Sequence, residues 1–204
     1  MSKNTNFEYN IRKFNTATMD KTRSCIFIGG SGTGKSHAVT SILYHNRDIP
    51  VGIVMSGTEE GDPYWSRFIP DLFIYNQWEP QKLEEMIDIQ KKKKRGIDTI
   101  DKEIEYCRKN NRPRDAEILQ NRKQKEMNAM RKFVIIDDCM FQSGITRTET
   151  LRKLFMNGRH WNIFVMLTIQ YCMGLDIALR GNAGYVFVCR ENIISYRRKI
   201  FESF

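Results

Sequence analysis

The sequence lacks the patterns that mark secreted, zinc-binding or membrane-spanning proteins. Its five cysteines are an odd number without a Cys-x-x-Cys pair, which predicts reduced thiols, mostly buried in apolar strands, in a cytosolic compartment. The three histidines have no cysteine or carboxylate at metal-ligand spacing, so we predict no zinc site. No hydrophobic run is long enough to span a membrane, and the polar start Met1–Asn10 does not have the composition of a signal peptide.

The chain also has too few acidic residues to balance its basic ones. Its 204 residues include 33 lysines and arginines against 24 aspartates and glutamates, a formal net charge of +9. Such an excess favours a polyanionic partner such as nucleic acid. Solvated basic helices are the alternative explanation.

A glycine-rich stretch, Gly29–Ser36, matches every position of the Walker A pattern G-x-x-x-x-G-K-[ST]. The apolar run Cys25–Ile28 precedes it, and His37–His45 has apolar residues at helical spacing, so the motif lies between a predicted strand and a predicted helix. The predicted nucleotide-binding residues are Gly29, Gly30, Ser31, Gly32, Thr33, Gly34, Lys35, Ser36 and His37.

The composition of this loop predicts ATP and Mg²⁺ as the bound cofactors. Glycines allow the backbone N–H groups to approach the phosphates at a helix N-terminus. Lys35 supplies a mobile charge for the β- and γ-phosphates, and the Ser36 hydroxyl is the expected magnesium ligand.

A second motif ends in a pair of carboxylates. Four hydrophobic residues, Phe133–Ile136, precede Asp137 and Asp138, which is the Walker B arrangement. We assign Asp137 to the magnesium shell and Asp138 to polarising the attacking water. Glu59, at the end of the second predicted strand, is a weaker candidate for the general base.

The predicted fold class is α/β, a P-loop NTPase with a mainly parallel sheet flanked by helices. Five buried strands alternate with helical segments, and ligands of such sheets bind at the carboxyl ends of the strands. The strand Trp161–Thr168 closes in Thr168-Ile169-Gln170, which places Gln170 where it can sense a γ-phosphate. The alternation of Phe7, Tyr9 and Ile11 permits an edge strand near the start.

Residues 79–132 have a different character, with many charged residues and apolar residues at helical spacing. We predict a basic insertion of two or three helices, broken at Gly96 and Pro113, within a single ATPase domain covering residues 1–204. The insertion contains a cationic block that is a candidate DNA-binding element or, alternatively, a solvated helix end. The block consists of Lys91, Lys92, Lys93, Lys94 and Arg95.

Taken together, the Walker A loop, Asp137-Asp138 and Thr168-Ile169-Gln170 resemble the FtsK/HerA superfamily of P-loop motors. Three further segments are similar to the poxvirus-type genome-packaging ATPases of large cytoplasmic DNA viruses. These segments are Gly52–Gly61, Phe68–Phe73 and Phe187–Asn192.

The resemblance implies a strand order of 5-1-4-3-2 and a homo-oligomeric ring. It implies ATP hydrolysis coupled to translocation of double-stranded DNA into a preformed capsid, with a capsid or inner-membrane component as a further partner. The expected location is the host cytoplasm, at the viral factory, or the virion. An arginine finger acting on a neighbouring subunit is assigned to Arg159, just before the strand that carries Gln170, with Arg180 as the second candidate.

Three other functions stay open at this point. The length of the chain is typical of small nucleotide kinases, in which the basic insertion would be a lid, although the Asp137-Asp138 pair beside Gln170 suits water activation better than phosphoryl transfer. A nucleotide-dependent switch or scaffold is the second. A DNA translocase or helicase of cellular type is the third.

Overall fold

A parallel six-stranded sheet forms the centre of the protein. The computed structural model describes residues 12–139 and 144–204, so the edge strand predicted from Phe7, Tyr9 and Ile11 lies outside the described residues. The strand order is β3-β2-β4-β5-β1-β6, and every neighbouring pair is parallel, which confirms the prediction of a parallel α/β sheet. The strands are β1 (Cys25–Ile28), β2 (Val51–Ser56), β3 (Ile74–Tyr75), β4 (Lys132–Asp137), β5 (Ile163–Ile169) and β6 (Tyr185–Val188).

Helices cover both faces of the sheet. Residues of α1 pack in a core on one face, and residues of α2, α4, α5 and α6 pack in a core on the other. None of the helices in residues 12–139 and 144–204 is long and apolar enough to cross a bilayer. The helices are α1 (Lys35–His45), α2 (Pro80–Lys109), α3 (Pro113–Met130), α4 (Glu149–Asn157), α5 (Ile177–Asn182) and α6 (Ile194–Ser203).

The sequence of the central strands explains their position. All seven residues of β5 are buried, which suits a strand covered on both faces by helices. In the register of the sheet, Ile28 of β1 pairs with Ile169 of β5, and Ser56 of β2 pairs with Asp137 of β4. The carboxyl ends of these four strands therefore meet at one edge.

The segment 79–132 folds as a long helical hairpin, and the expected break at Gly96 is wrong. Helix α2 runs without interruption through Gly96 for 30 residues, about 45 Å at 1.5 Å per residue. A helical glycine costs only about 1 kcal/mol relative to alanine, and the buried residues Ile97, Ile100 and Ile104 that follow it offset this cost. The chain turns at Asn111, which has a φ of 54°, and α3 begins at Pro113.

The segment before β5 also differs from the prediction. Helix α4 ends at Asn157, and Gly158, which has a right-handed backbone with φ −52° and ψ −38°, begins a 3₁₀ turn that reaches Trp161. The left-handed residue that turns the chain into β5 is Asn162, at φ 54°. The strand therefore begins at Ile163, two residues later than expected.

A buried glutamine joins the hairpin to this turn. Gln90 of α2 is fully buried, and its side-chain amide donates hydrogen bonds to the carbonyl of Met130 at 2.6 Å and to that of Trp161 at 2.7 Å. The ammonium of Lys91 lies 5.3 Å from the centre of the Trp161 ring. Helix α2 is thereby fixed to the end of α3 and to the turn that carries Arg159.

All five cysteines are free thiols, and four of them are buried. Only Cys25 lies within a strand, so the expectation that most would lie in strands is wrong. The other three buried thiols, Cys107, Cys139 and Cys172, fill core positions in helices and loops. Their burial follows from packing, since a thiol behaves as a small apolar group.

Candidate nucleotide-binding site

The Walker A loop wraps the N-terminus of α1 at the carboxyl end of β1. Gly32 and Gly34 have φ values of 68° and 90°, in the left-handed region that favours glycine. The backbone N–H of Gly29 donates to the carbonyl of Ile169 at 3.2 Å, which fixes the loop to the end of β5. The loop lies at the edge of the sheet where strands β1, β2, β4 and β5 end, and its backbone amides lead into a helix N-terminus that attracts anions.

The functional side chains of the loop have different surroundings. The Lys35 ammonium is largely buried and donates to the loop's own carbonyl at Gly30, at 2.9 Å. His37 is exposed, and its Nδ1 lies 3.2 Å from the hydroxyl of Tyr64. That hydroxyl lies 2.9 Å from the Oγ1 of Thr40 on the next turn of α1, so Tyr64 bridges two turns of the helix.

The carboxylate of Asp137 accepts hydrogen bonds from three side chains. Ser36 Oγ–H donates to its Oδ2 at 2.9 Å, and Trp65 Nε1–H donates to the same oxygen at 2.8 Å. The hydroxyl of Thr168 donates to its Oδ1. The side chain is buried and its two oxygens accept three hydrogen bonds, which satisfies a charge that would otherwise be costly to bury.

The oxygens gathered here fit a magnesium ion. The Ser36 hydroxyl and the Asp137 carboxylate are hard oxygen ligands 2.9 Å apart, directly below the phosphate-binding loop. Magnesium usually takes one or two protein ligands together with substrate phosphates and water. The donor set of the site therefore matches a metal–nucleotide complex.

Asp138 and Gln170 are brought together at the ends of β4 and β5. The Gln170 side-chain amide donates to both carboxylate oxygens of Asp138, at 2.9 and 2.8 Å. Asp138 has a φ of 48°, an uncommon conformation for a residue with a side chain, and its backbone N–H donates to Thr168 Oγ1 at 3.0 Å. Thr168 thus joins the side chain of Asp137 to the backbone of Asp138.

The carboxylate of Glu59 is engaged with the backbone of the loop after β2. Its carboxylate accepts hydrogen bonds from the N–H groups of Tyr64, Trp65 and Ser66 at 3.0, 2.9 and 2.9 Å. Burial would raise the pKa of Glu59, but the hydrogen bonds from these backbone groups outweigh it and hold that pKa below its ordinary value. The side chain is therefore ionised at neutral pH and holds the 3₁₀ turn Trp65–Arg67 in place.

The two arginine candidates lie away from this cluster. Exposed Arg159 is in the turn that precedes β5, whereas the Walker motifs lie at the opposite end of the strands. The seven residues of β5 separate the two edges by roughly 20 Å at about 3.3 Å per residue. Arg180 lies in the last turn of α5, four positions before Gly184, whose backbone N–H donates to the carbonyl of Ser24 just ahead of β1. The Nε of Arg180 is buried without a hydrogen-bond partner among the described residues.

The cationic block occupies the middle of α2. Two of its members are paired within the helix, Lys91 with Asp88 at 3.2 Å and Lys94 with Asp98 at 3.1 Å. The remaining three members are exposed and make no ion pair within residues 12–139 and 144–204. They are Lys92, Lys93 and Arg95.

Two residues of the cluster were not predicted from the sequence. Trp65 reaches Asp137 from a loop after β2, and no local pattern marks an indole as a partner of a distant carboxylate. For Thr168, the sequence predicts only a position at the end of a strand. The presence of a lone polar residue in the otherwise apolar run Ile163–Ile169 was the available signal.

No family model matches the chain. It is 32% identical over 182 residues to an uncharacterized protein of Frog virus 3 (isolate Goorha), a match that covers 88% of this chain and 47% of that protein. It is 26% identical over 202 residues to an uncharacterized protein of Acanthamoeba polyphaga mimivirus, covering 97% and 62%. The chain spans about half the length of the curated relatives it matches, and these relatives are proteins of large DNA viruses.

Solved structures share the fold at low sequence identity. The genome packaging NTPase B204 from Sulfolobus turreted icosahedral virus 2, in complex with ATP-gammaS, matches with a TM-score of 0.54 and 13% identity, covering 91% of this chain and 83% of that chain. The cytoplasmic domain of EssC matches with a TM-score of 0.53 and 15% identity, covering 88% and 33%. This chain therefore has the α/β fold of P-loop NTPases.

The contacts of Glu59 predict a pH-dependent contribution to stability. Because the folded-state pKa of Glu59 is lowered, its stabilisation is present above the pKa of the unfolded chain, about 4.3, and is lost as the pH falls through the folded-state value. At pH 7, Glu59→Gln should reduce the free energy of unfolding by about 2 kcal/mol. The difference in the free energy of unfolding between Glu59→Gln and wild type, measured by urea denaturation, should shrink below about pH 4.

Glu60→Gln is the matched control, because Glu60 is the exposed neighbour. It should change the free energy of unfolding by less than about 0.5 kcal/mol at either pH. A Glu59→Gln variant as stable as this control at pH 7 would contradict the role given to the carboxylate.

Proposed function

We propose that this chain is a Mg²⁺-dependent ATPase, converting ATP and water to ADP and phosphate, and that it drives translocation of double-stranded DNA. One observation carries the proposal: the paired Asp138 and Gln170 lie beside Ser36 and Asp137 at the carboxyl edge of the sheet. Hydrolysis of a bound triphosphate requires four groups in one place. They are a phosphate-binding loop, a carboxylate that binds the metal, a second carboxylate and a side-chain amide.

Each group has a distinct role in this proposal. The loop amides and the Lys35 ammonium bind the phosphates, and Lys35 leaves its bond to the Gly30 carbonyl in order to do so. Ser36 and Asp137 hold the magnesium ion, which when bound neutralises charge on the β- and γ-phosphates. His37 contacts the phosphates from the first turn of α1.

Asp138 orients the attacking water and accepts its proton, and Gln170 senses the γ-phosphate. In the present structure the Gln170 amide is committed to Asp138. Turnover requires this amide to exchange part of that contact for a phosphate oxygen or the water. Glu59 keeps its three backbone N–H partners throughout and does not act as the base.

We further propose that the work of the motor is packaging of a viral genome into a preformed capsid. Support comes from the viral relatives and from the fold shared with the genome packaging NTPase of Sulfolobus turreted icosahedral virus 2. The proposed location is the cytoplasm of the infected cell, at the viral factory, or the virion. A capsid or inner-membrane component is the proposed further partner.

The helical hairpin is the proposed DNA-binding element, as an insertion (residues 79–132) within one ATPase domain. The exposed side chains of Lys92, Lys93 and Arg95 are available for phosphate contacts. Burial, together with the nearby charge of Lys93, lowers the pKa of Lys132. An anionic partner would relieve this crowding of positive charge.

The site is completed in this proposal by a neighbouring copy in a ring. Arg159 lies before the amino end of β5, whereas the phosphates would bind near its carboxyl end, so Arg159 is too distant to reach the phosphates bound by its own chain. It is exposed in the turn that leads into β5, which suits contact with the γ-phosphate of a neighbour. Arg180 is the second candidate for this role.

The function is tested by phosphate release from ATP and Mg²⁺, measured with and without duplex DNA and with nucleoside monophosphates as acceptors. We expect duplex DNA to raise the rate, and Lys35→Ala to lower it by about 10²-fold or more. Unchanged release with DNA, together with consumption of a monophosphate, would identify a kinase. Slow release that responds to neither addition would favour the nucleotide switch.

Neutralising the free part of the cationic block should weaken DNA binding. For the triple variant Lys92→Gln, Lys93→Gln, Arg95→Gln, the slope of log affinity against log salt should fall by about 1 for each lost phosphate contact. The control neutralises Lys82, Lys109 and Lys153, which are already paired with glutamates on their own helices. Equal slopes for the two triple variants would leave the block as a solvated helix face.

Arg159→Ala should leave ATP binding intact and reduce hydrolysis by about 10³-fold. Mixing this variant with Lys35→Ala subunits should restore part of the activity, because the Lys35→Ala copy donates its own Arg159 to an intact loop. Arg122→Ala, on the exposed face of α3, is the control and should retain full activity. Absence of rescue at every mixing ratio, with rescue of Arg180→Ala instead, would transfer the role to Arg180.

A further inference from the structure

Trp65 makes a contact with the proposed metal site that an ordinary core tryptophan does not make. Its side chain is fully buried, and its Nε1–H donates to Asp137 Oδ2 at 2.8 Å. The same oxygen accepts the hydroxyl of Ser36 at 2.9 Å, and the other oxygen accepts Thr168. The indole therefore binds the oxygen that lies beside the proposed metal ligand Ser36.

The backbone around Trp65 is fixed by Glu59. The three consecutive N–H groups from Tyr64 to Ser66 all donate to the Glu59 carboxylate. The indole ring itself packs in the core between α1 and the sheet, with the ring of Tyr64 against it at 5.1 Å and 85°. Both the backbone and the ring of Trp65 are thus held in place, so the indole Nε1–H points in a fixed direction, toward Asp137.

The chemistry of an indole suits this position. An indole N–H can only donate a hydrogen bond, so it stabilises the ionised form of the carboxylate that accepts it. An indole also cannot replace that carboxylate as a metal ligand. Hydrogen bonds to a metal-binding carboxylate set its orientation, and loss of such a bond typically weakens metal affinity about 10- to 100-fold.

We propose that Trp65 is a positioning residue that holds the Asp137 carboxylate for the magnesium ion of the bound nucleotide. This inference rests on the proposed function, since it assumes that nucleotide and metal bind here. Trp65 acts through Asp137 and touches neither phosphate nor water. Glu59, in the loop after β2, contributes by fixing the turn that carries Trp65.

The test compares Trp65→Phe with wild type in binding of a fluorescent ATP analogue, once in EDTA and once across a Mg²⁺ titration. Phenylalanine keeps most of the ring and removes the N–H. In EDTA, we expect the affinity of Trp65→Phe for the ATP analogue to differ from that of wild type by less than about twofold. The Mg²⁺ concentration that gives half of the maximal increase in analogue binding should rise by about tenfold or more. Trp78→Phe is the matched control, because Trp78 is buried in the core on the opposite face of the sheet.

A second measurement uses the wild-type chain, so it stands even if Trp65→Phe does not fold. With ¹⁵N-labelled indoles, the three tryptophans give three N–H signals, assigned with Trp78→Phe and Trp161→Phe. Adding Mg²⁺ to the protein loaded with the ATP analogue should shift the Trp65 signal and leave that of Trp78 in place.

The outcomes separate this inference from the proposed function. If wild type does not bind the ATP analogue, the proposed function fails. If wild type binds it in a Mg²⁺-dependent way, but Trp65→Phe has the same Mg²⁺ dependence or the Trp65 signal does not move, Trp65 has only a packing role and the inference is overturned.

Discussion

The buried carboxylate of Asp137 is the group on which the arrangement of the site depends. Its partners come from three other parts of the chain: Ser36 from α1, Trp65 from the turn after β2, and Thr168 from β5. A buried charge without such donors would cost several kcal/mol, so these elements are constrained to meet at the end of β4. Asp137 thereby links the Walker A loop and the strand that precedes Gln170 to the Walker B strand through side chains, in addition to the backbone pairing of the sheet.

The two edges of the sheet have separate tasks in this account. The proposed nucleotide-binding residues lie at the carboxyl ends of the strands, and Arg159 lies at the amino end of β5. Helix α2 contacts the second edge directly, because Gln90 and Lys91 both contact Trp161 in the turn that carries Arg159. The proposed DNA-binding helix is therefore in direct contact with the turn that carries the proposed contact to a neighbouring subunit.

Much of this fold was predictable because its signals are local. The strand Cys25–Ile28 was predicted with its observed bounds, since a continuous apolar run next to a glycine-rich loop has few alternatives. The predicted helix break at Gly96 was wrong because the burial of Ile97 and Ile100 outweighs the low helix propensity of glycine. Trp65 could not be predicted as a site residue, since its partner Asp137 is 72 positions away and only the folded sheet brings them together.

The most direct measurement of the central claim is a crystal structure with ATP-gammaS and Mn²⁺, in which the metal is located by its anomalous scattering. The account predicts a metal peak at about 2.1 Å from Ser36 Oγ, the distance expected for a small hard cation bound by oxygen. It also predicts phosphates on the amides of the Walker A loop and Asp137 still bonded to Trp65. A metal bound elsewhere, or a nucleotide that leaves this loop empty, would contradict it.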